Sequence, residues 1–211
     1  MLDRLQELLL NDERRLRHKG LYGQAGDSVS TRIPGRDAFM LALPDTDEVR
    51  VVDFDTQGSE AAAFHAAIYR ARKDAGAVLI SRTPWSTVLS AMGAAVPTLF
   101  DEQARHIGTT EKPVPVGRRR RAVRALEGGG TAIVYGDQRI CIGTTPDRVV
   151  FNADLFEKCT KAFVVARTSG KRIRRVPGWV RFIAGGRLKK DQKRAAETYD
   201  AGEIPEGMDA Y

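Results

Sequence analysis

One short stretch of the chain carries a carboxylate and two hydroxyls, where a helix is predicted to lead into a buried strand. Glu60 follows Ser59, a residue type typical of an N-cap, so its carboxylate falls in the first helical turn. Ser81 and Thr83 follow the apolar run 77–80, and because side chains alternate along a strand, both would project to the same side of its end. A glutamate beside a metal and a substrate can act as a general base. Glu60 is a candidate for such a role, but a lone carboxylate is weak evidence for a site, and acids favour the first turn because of the helix dipole alone.

The same stretch resembles the class II aldolase/adducin family. The resemblance extends over residues 2–166 and implies an α/β fold like that of fuculose-phosphate aldolase, a three-layer α/β/α domain with a central, mostly antiparallel sheet. It is carried by Ser59-Glu60, His65, Ile68-Tyr69, Arg72, Asp74, Ala77-Val78, Pro84 to Ser90, Pro97 and Asp101-Glu102.

The resemblance implies a zinc site from which this chain departs. Enzymes of the family end the strand in His-x-His, where this chain reads Ser81-Arg82-Thr83, and they carry a third histidine in a turn where the simplest alignment places Asp137. Hydroxyls are poor ligands for zinc, which prefers imidazole, thiolate and carboxylate. We therefore expect no tight zinc site and predict no cofactor, while weak binding of Mg²⁺ by Asp27, Glu60 and Asp137 stays an open hypothesis.

The resemblance also implies substrate-binding positions at Gly26, Asp27 and Ser59. Family members place the backbone amides of a Gly-Asn-x-Ser turn against a substrate phosphate, and this chain has Gly26-Asp27-Ser28-Val29-Ser30 there. Aspartate adds an anion at a site built on N–H donors, which disfavours a phosphate. An ordinary turn between a helix and a strand is the alternative interpretation.

Other potential metal ligands are sparse. Glu102 and His106 stand four residues apart on a predicted helix, the spacing of two metal ligands, but no third ligand is apparent and a helix surface is the alternative. His65 and Tyr69 have the same spacing and are expected to pack together against the sheet. Cys141 and Cys159 lie in apolar segments and are expected to be buried free thiols.

Composition favours a soluble globular protein. The chain has 211 residues, of which 42% are hydrophobic and 29% charged. It has no apolar run long enough for a membrane span and no signal peptide at its start, so a cytoplasmic location is expected. We predict a class II aldolase/adducin-like domain over residues 1–170 and a basic segment over residues 171–211.

The basic segment has a strongly uneven charge. Residues 161–194 contain twelve lysines and arginines and a single acid, Asp191, in a chain of net charge +7. Such a segment can bind nucleic acid, anionic lipid or acidic partners, or can be a solvated face. A strand and a last helix over 189–199 are expected, packing on the domain or on a neighbouring subunit. By resemblance, Tyr199 or Tyr211 is a candidate to reach a neighbouring cleft.

Three functions remain open from the sequence. The first is an adducin-like binding module whose zinc site is degenerate, and the second is an aldehyde-lyase that cleaves a sugar or sugar-acid phosphate with Glu60 as acid/base and a non-standard metal site. The third is a binder of nucleic acid or an anionic surface through residues 161–194. The resemblance implies a homo-oligomer, a tetramer, in the first two cases, and whether the chain is an enzyme is left open.

Overall fold

A six-stranded antiparallel sheet forms the centre of the protein, as predicted. The computed structural model describes residues 1–46, 48–56, 58–170 and 172–206. Within them the strand order is β3-β2-β1-β4-β6-β5, and each strand pairs antiparallel with its neighbours. The strands are β1 (Ser28–Arg32), β2 (Ala38–Ala42), β3 (Arg50–Asp53), β4 (Ala77–Arg82), β5 (Ala132–Tyr135) and β6 (Gln138–Gly143).

Helices cover both faces of the sheet, which confirms the three-layer α/β fold. Helices α1 (Leu2–His18) and α5 (Pro146–Thr168) bury leucine and phenylalanine side chains on one face, together with Leu79 and Cys141 of the sheet. Helices α2 (Glu60–Ala71) and α4 (Arg119–Glu127) cover the other face, where they meet Val78 and Ile80. The remaining helical elements are α3 (Pro84–Met92), a π-helical turn (Gln103–Ile107) and α6 (Gly178–Asp200).

The helix starts follow local chemistry. The Ser59 hydroxyl accepts a hydrogen bond from the Ala62 amide, which confirms the predicted N-cap, and the Thr145 hydroxyl caps α5 by accepting one from the Arg148 amide. Helix α3 begins at Pro84. Thr83 and Ser86 form a capping box, in which the side chain of each residue accepts a hydrogen bond from the backbone amide of the other. Proline also suits the first helical position.

The C-terminal segment forms one long helix, so the expected strand is wrong, and the helix expected over 189–199 is the second half of α6. Residues 172–177 have no regular secondary structure, and α6 then runs without a break through Gly185 and Gly186. It buries one stripe of its surface at helical spacing, and this packing outweighs the low helix propensity of the two glycines. The buried residues are Ala184, Leu188, Gln192, Ala195 and Tyr199.

The end of α6 is held on the domain by Tyr199. Its hydroxyl donates to the carbonyl of Thr144 at 3.0 Å, and its side chain is buried. Tyr199 is therefore not available to reach a neighbouring cleft, and Tyr211 lies outside the described residues. No helix in the described part of the chain is long and apolar enough to span a membrane.

The close approach of Tyr199 to Gly76 gives a test of this packing. A Cβ atom at Gly76 would lie 2.0 Å from the Tyr199 hydroxyl and 2.4 Å from the Thr144 carbonyl oxygen. We expect Gly76→Ala to lower the free energy of unfolding by about 1–3 kcal/mol, because α6 or the strand must shift. Urea denaturation followed by circular dichroism measures the change.

Gly186 supplies the matched control, since nothing lies within 4 Å of a Cβ at that position. Gly186→Ala should raise the free energy of unfolding by about 1 kcal/mol, because alanine is the better helix former. Equal stability of the Gly76→Ala variant and the parent would show that Tyr199 does not pack there.

Candidate functional site

The candidate site lies at the end of β4, where Arg82 pairs with Asp137 in the β5–β6 turn. Arg82 Nε donates to Asp137 Oδ2 at 2.5 Å, and Arg82 Nη2 donates to Oδ1 at 3.3 Å. Both side chains reach solvent, with exposed fractions of 36% and 47%. The hydrogen bonds from Arg82 hold the pKa of Asp137 below its ordinary value. At this edge a guanidinium therefore already neutralises a carboxylate.

The turn before β1 joins the same edge through Asp27. One carboxylate oxygen of Asp27 accepts from the backbone amide of Arg82, and the other accepts from the amides of Gly23 and Gln24, all at 2.9 Å. Gly26 has a positive φ of 86°, and its carbonyl accepts from Gln138 Nε2 at 3.0 Å. The backbone amides of this turn therefore donate to the buried Asp27 carboxylate of the chain itself.

Glu60 lies on the α2 side of the sheet and is linked to the β5–β6 turn by aromatic side chains. Arg119 of α4 donates to its carboxylate at 2.7 Å, and the same guanidinium lies 5.2 Å from the centre of the Phe64 ring. Phe64 packs edge-on against Tyr135, the residue that precedes the Gly136-Asp137 turn. The Glu60 side chain is 85% exposed. The structure therefore brings Gly26, Asp27 and Asp137 together at the end of β4, and Glu60 is linked to that edge through Arg119, Phe64 and Tyr135.

Ser81 and Thr83 lie on the opposite face of the sheet. The Ser81 hydroxyl accepts from Arg139 Nε at 3.2 Å, and the Thr83 hydroxyl donates to Glu157 of α5 at 2.6 Å. Side chains alternate along β4, so Ser81 faces α5 while its neighbours face α2. The prediction that both hydroxyls share a site with Glu60 is therefore wrong, and the β4 side chains on the Glu60 face are Ile80 and Arg82.

Arg139 and Glu157 form a buried charged network that sequence reasoning missed. Arg139 is fully buried, 3.5 Å from the Glu157 carboxylate, and donates to the carbonyl oxygens of Ala153 and Leu21 at 2.7 and 3.2 Å. The charge is thereby surrounded by acceptors, as a buried guanidinium requires. A sequence signal existed, because Arg139 occupies the same side of its strand as Cys141, whose neighbours predicted burial.

The other predicted ligands have protein partners. His106 Nδ1 lies 2.8 Å from an Arg148 nitrogen, and burial, with help from the positive charge of Arg148, lowers the pKa of His106 to about 4. Within the ranges that the structure describes, no cluster of three histidine, cysteine, aspartate or glutamate side chains is placed to hold a metal ion. Cys141 and Cys159 are buried free thiols, as predicted. Burial raises their pKa values to about 11 and about 12.

His65 and Tyr69 are the predicted packing pair, and Ser30 connects them. The Ser30 hydroxyl lies 2.6 Å from His65 Nδ1 and 2.8 Å from the Tyr69 hydroxyl, while Ser28 bonds the other ring nitrogen at 2.9 Å. Complete burial lowers the pKa of His65 to about 3, so the ring is neutral. The pair therefore fastens α2 to β1 and positions Glu60 at the start of that helix.

Comparisons with known proteins identify the family and fold to which this geometry corresponds. The family model described as the class II aldolase and adducin N-terminal domain matches residues 31–164. No match was found among curated proteins.

Three solved structures illustrate the similarity of fold. L-fuculose 1-phosphate aldolase from Glaciozyma antarctica is 16% identical, with a TM-score of 0.71, and the match covers 93% of this chain and 88% of that one. An aldolase II superfamily protein from Pseudomonas syringae is 17% identical, with a TM-score of 0.69 and 95% of both chains covered. L-fuculose-1-phosphate aldolase from Thermus thermophilus is 15% identical, with a TM-score of 0.67, and the match covers 81% of this chain and 98% of that one.

The buried network gives a prediction about stability. Arg139→Leu leaves the Glu157 carboxylate without its buried partner, and we expect a loss of about 3–5 kcal/mol in the free energy of unfolding. The double variant Arg139→Leu/Glu157→Leu should recover much of that loss, because no unpaired charge remains. Urea denaturation measures both.

Arg70→Leu is the matched control, because its partner Asp55 is exposed. It should cost at most about 1 kcal/mol. A comparable loss for Arg70→Leu and Arg139→Leu would contradict the importance of the buried network.

Proposed function

The chain belongs to the class II aldolase and adducin family, and we propose that it serves as a non-zinc, adducin-like binding module with a degenerate metal site. The observation that carries the proposal is the pairing of Arg82 with Asp137 on the face that also holds Glu60. The family resemblance implies zinc ligands at the end of β4 and in the β5–β6 turn. In this chain, a fixed cation and its partner carboxylate occupy that edge.

The donor set does not fit zinc. On the Glu60 face β4 offers an aliphatic side chain, Ile80, and a guanidinium, Arg82, neither of which is a zinc ligand. A guanidinium 4 Å from a bound zinc ion would raise the electrostatic energy of the complex by about 8 kcal/mol at an effective dielectric constant of 20. If Arg82 turned away, Asp137 and Glu60 would supply two carboxylates, short of the three protein ligands of a catalytic zinc.

The same region offers a charged surface for binding. Glu60 with Arg119 and Asp137 with Arg82 form two ion pairs of partly exposed side chains, joined by Phe64 and Tyr135. Exposed ion pairs of this kind contribute about 0–1 kcal/mol, so a ligand with its own charged groups can replace either partner at little cost. Asp27 is already held by three amides, so the Gly26-Asp27 turn has few donors left for a phosphate.

A homo-oligomer, a tetramer by resemblance, is part of the proposal. Oligomers of the family have clefts between subunits, so a neighbour would border this edge of the sheet. Sedimentation velocity measures the mass, and a monomer at micromolar concentration would contradict this part of the proposal.

Zinc titration of the protein and a designed variant tests the degenerate site. We expect the parent to show no saturable zinc binding at micromolar concentration. The variant Ile80→His/Arg82→His/Asp137→His puts imidazoles at two β4 positions on the Glu60 face and in the adjoining turn, so we expect zinc to bind at least about 100-fold more tightly, since imidazole is a ligand that zinc prefers. Isothermal titration calorimetry measures both.

The matched control moves the histidines to the other face of the sheet. Ser81→His/Thr83→His/Asp137→His should gain no site, because two of its imidazoles point toward α5, and circular dichroism confirms that each variant is folded. Stoichiometric zinc in the purified parent, or a tight site in the control alone, would overturn the ligand assignment.

An aldehyde-lyase is the second candidate, favoured by the exposure of Glu60. Its carboxylate is in the first turn of α2 and open to solvent, so a substrate could reach it as an acid/base. The assay is retro-aldol cleavage of L-fuculose 1-phosphate with added Mg²⁺, Mn²⁺ or Zn²⁺, with Glu60→Gln as the comparison. The binding-module proposal predicts no turnover by either protein, whereas turnover lost at least about 100-fold in Glu60→Gln would establish the lyase.

A further inference from the structure

The outer face of α6 carries three exposed apolar side chains at helical spacing. Trp179, Phe182 and Ile183 are 69%, 83% and 51% exposed. Their spacing of three and four residues puts them on one stripe, which continues along the helix through Gly186 to the exposed Lys190. The buried stripe of α6, which includes Ala184 and Leu188, lies on the other side. The helix is therefore apolar at the outer tip and cationic further along.

Basic residues surround this apolar tip. Between residues 172 and 190 the chain contains lysine and arginine but no aspartate or glutamate. We name the combined region the α6 apolar-basic surface. It consists of the exposed side chains of Arg172, Arg174, Arg175, Trp179, Arg181, Phe182, Ile183, Arg187, Lys189 and Lys190.

The surface is held in a fixed position on the domain. The Val176 amide donates to the Thr98 carbonyl at 3.0 Å just before α6. Further along the helix, Asp191 pairs with Arg105 at 2.5 Å, and Gln192 donates to the Gly129 carbonyl at 2.8 Å. These contacts point the apolar stripe away from the sheet.

We propose that the α6 apolar-basic surface docks on an anionic lipid bilayer. Tryptophan and phenylalanine side chains enter the interfacial region of a bilayer, and lysine and arginine pair with anionic headgroups. A helix with aromatic residues on one stripe and cations beside it can lie in the plane of such an interface. The net positive charge of the segment is complementary to that of the lipid surface, and the proposal does not depend on the binding-module function.

Charge disfavours other occupants of the surface. Two copies of this chain meeting through the same surface would bring the basic side chains of residues 172–190 against each other, which opposes a symmetric contact. The nearest acids, Asp101 and Glu102, line a groove of about 380 Å³ together with Trp179 and Ile183, whereas Phe182 and the basic side chains of residues 172–181 lie outside that groove. A nucleic acid would use the basic side chains but not Ile183. A lipid surface engages both kinds of side chain at once.

Vesicle binding tests the proposal with the full chain. The protein is sedimented with vesicles of phosphatidylcholine alone and with vesicles that also contain phosphatidylserine. We expect binding only to the second kind, weakening as salt is added because the attraction of headgroup charges is screened. Lys189→Gln/Lys190→Gln should weaken this binding about 20-fold, since each basic residue near a lipid surface contributes several-fold. Trp179→Ala/Phe182→Ala should weaken it by a similar factor, because it removes apolar side chains that enter the interface.

Arg4→Gln/Arg14→Gln is the matched control, because it removes the same charge from exposed positions on α1. It should bind like the parent. A second readout uses Trp85→Phe, which leaves Trp179 as the one tryptophan, since the chain has two. Its fluorescence should shift to the blue with phosphatidylserine vesicles, as expected of an indole entering the interface.

Four outcomes would overturn the proposal. One is absence of binding to phosphatidylserine vesicles at low salt, and another is binding that the α6 variants and the α1 control weaken equally. The third is a lower oligomer mass for Trp179→Ala/Phe182→Ala without any vesicle binding by the parent, which would make the surface a contact between copies. Binding of RNA with no binding of vesicles would count against lipid in the same way.

Discussion

The alternation of side chains along β4 is the constraint on which the site depends. This strand is central in the sheet, between β1 and β6, so both of its faces are covered. Leu79 and Ser81 face the layer of α1 and α5, while Ile80 and Arg82 face the layer of α2 and α4. A shift by one residue exchanges the two sets completely. The strand register therefore decides which side chains can meet Glu60.

The opposite face shows what the two hydroxyls do instead. Ser81 accepts a hydrogen bond from the Arg139 guanidinium, and Thr83 donates to the Glu157 carboxylate. Burying such an ion pair costs several kcal/mol of desolvation for each ion, about as much as the attraction returns, unless further hydrogen bonds complete the network. The backbone carbonyls of Leu21, in the loop after α1, and of Ala153, in α5, accept those hydrogen bonds. The bonds thereby connect both elements to the sheet. The network fixes the position of α5 more than it adds stability.

The sequence predicted most of the fold because its signals are local. Apolar periodicity, the caps at Ser59 and Thr145, and the turn at Gly136 and Asp137 all follow from residues within a few positions of one another. Helix α6 was predicted poorly, since two glycines argue against a helix and only packing against the domain, through residues such as Leu188, reverses that preference. The same cause explains Arg139, whose partners are distant in sequence.

The site was predicted in part for a related reason. Gly26, Asp27 and Asp137 meet at one edge, and Glu60 is linked to it through Phe64 and Tyr135, because the resemblance aligned the segments that carry them. The roles of Asp27 and Asp137 could not be predicted, since they depend on which donors fold against them. One of those donors is Arg82, which stands in the sequence between the two residues aligned with the zinc ligands. A carboxylate in sequence is an available ligand, whereas in the fold it is one only if no cation or amide has already bound it.

The same distinction explains where the excess charge of the protein is exposed. The acids of the candidate site are each held by a donor: Glu60 by Arg119, Asp137 by Arg82, and Asp27 by backbone amides. The arginines and lysines between residues 172 and 190 have no acid within their own segment. A net charge of +7 is therefore not spread evenly over the surface but is concentrated beside the exposed apolar tip of α6. The α6 apolar-basic surface therefore combines a local excess of positive charge with exposed apolar side chains, and it can attract an anionic partner.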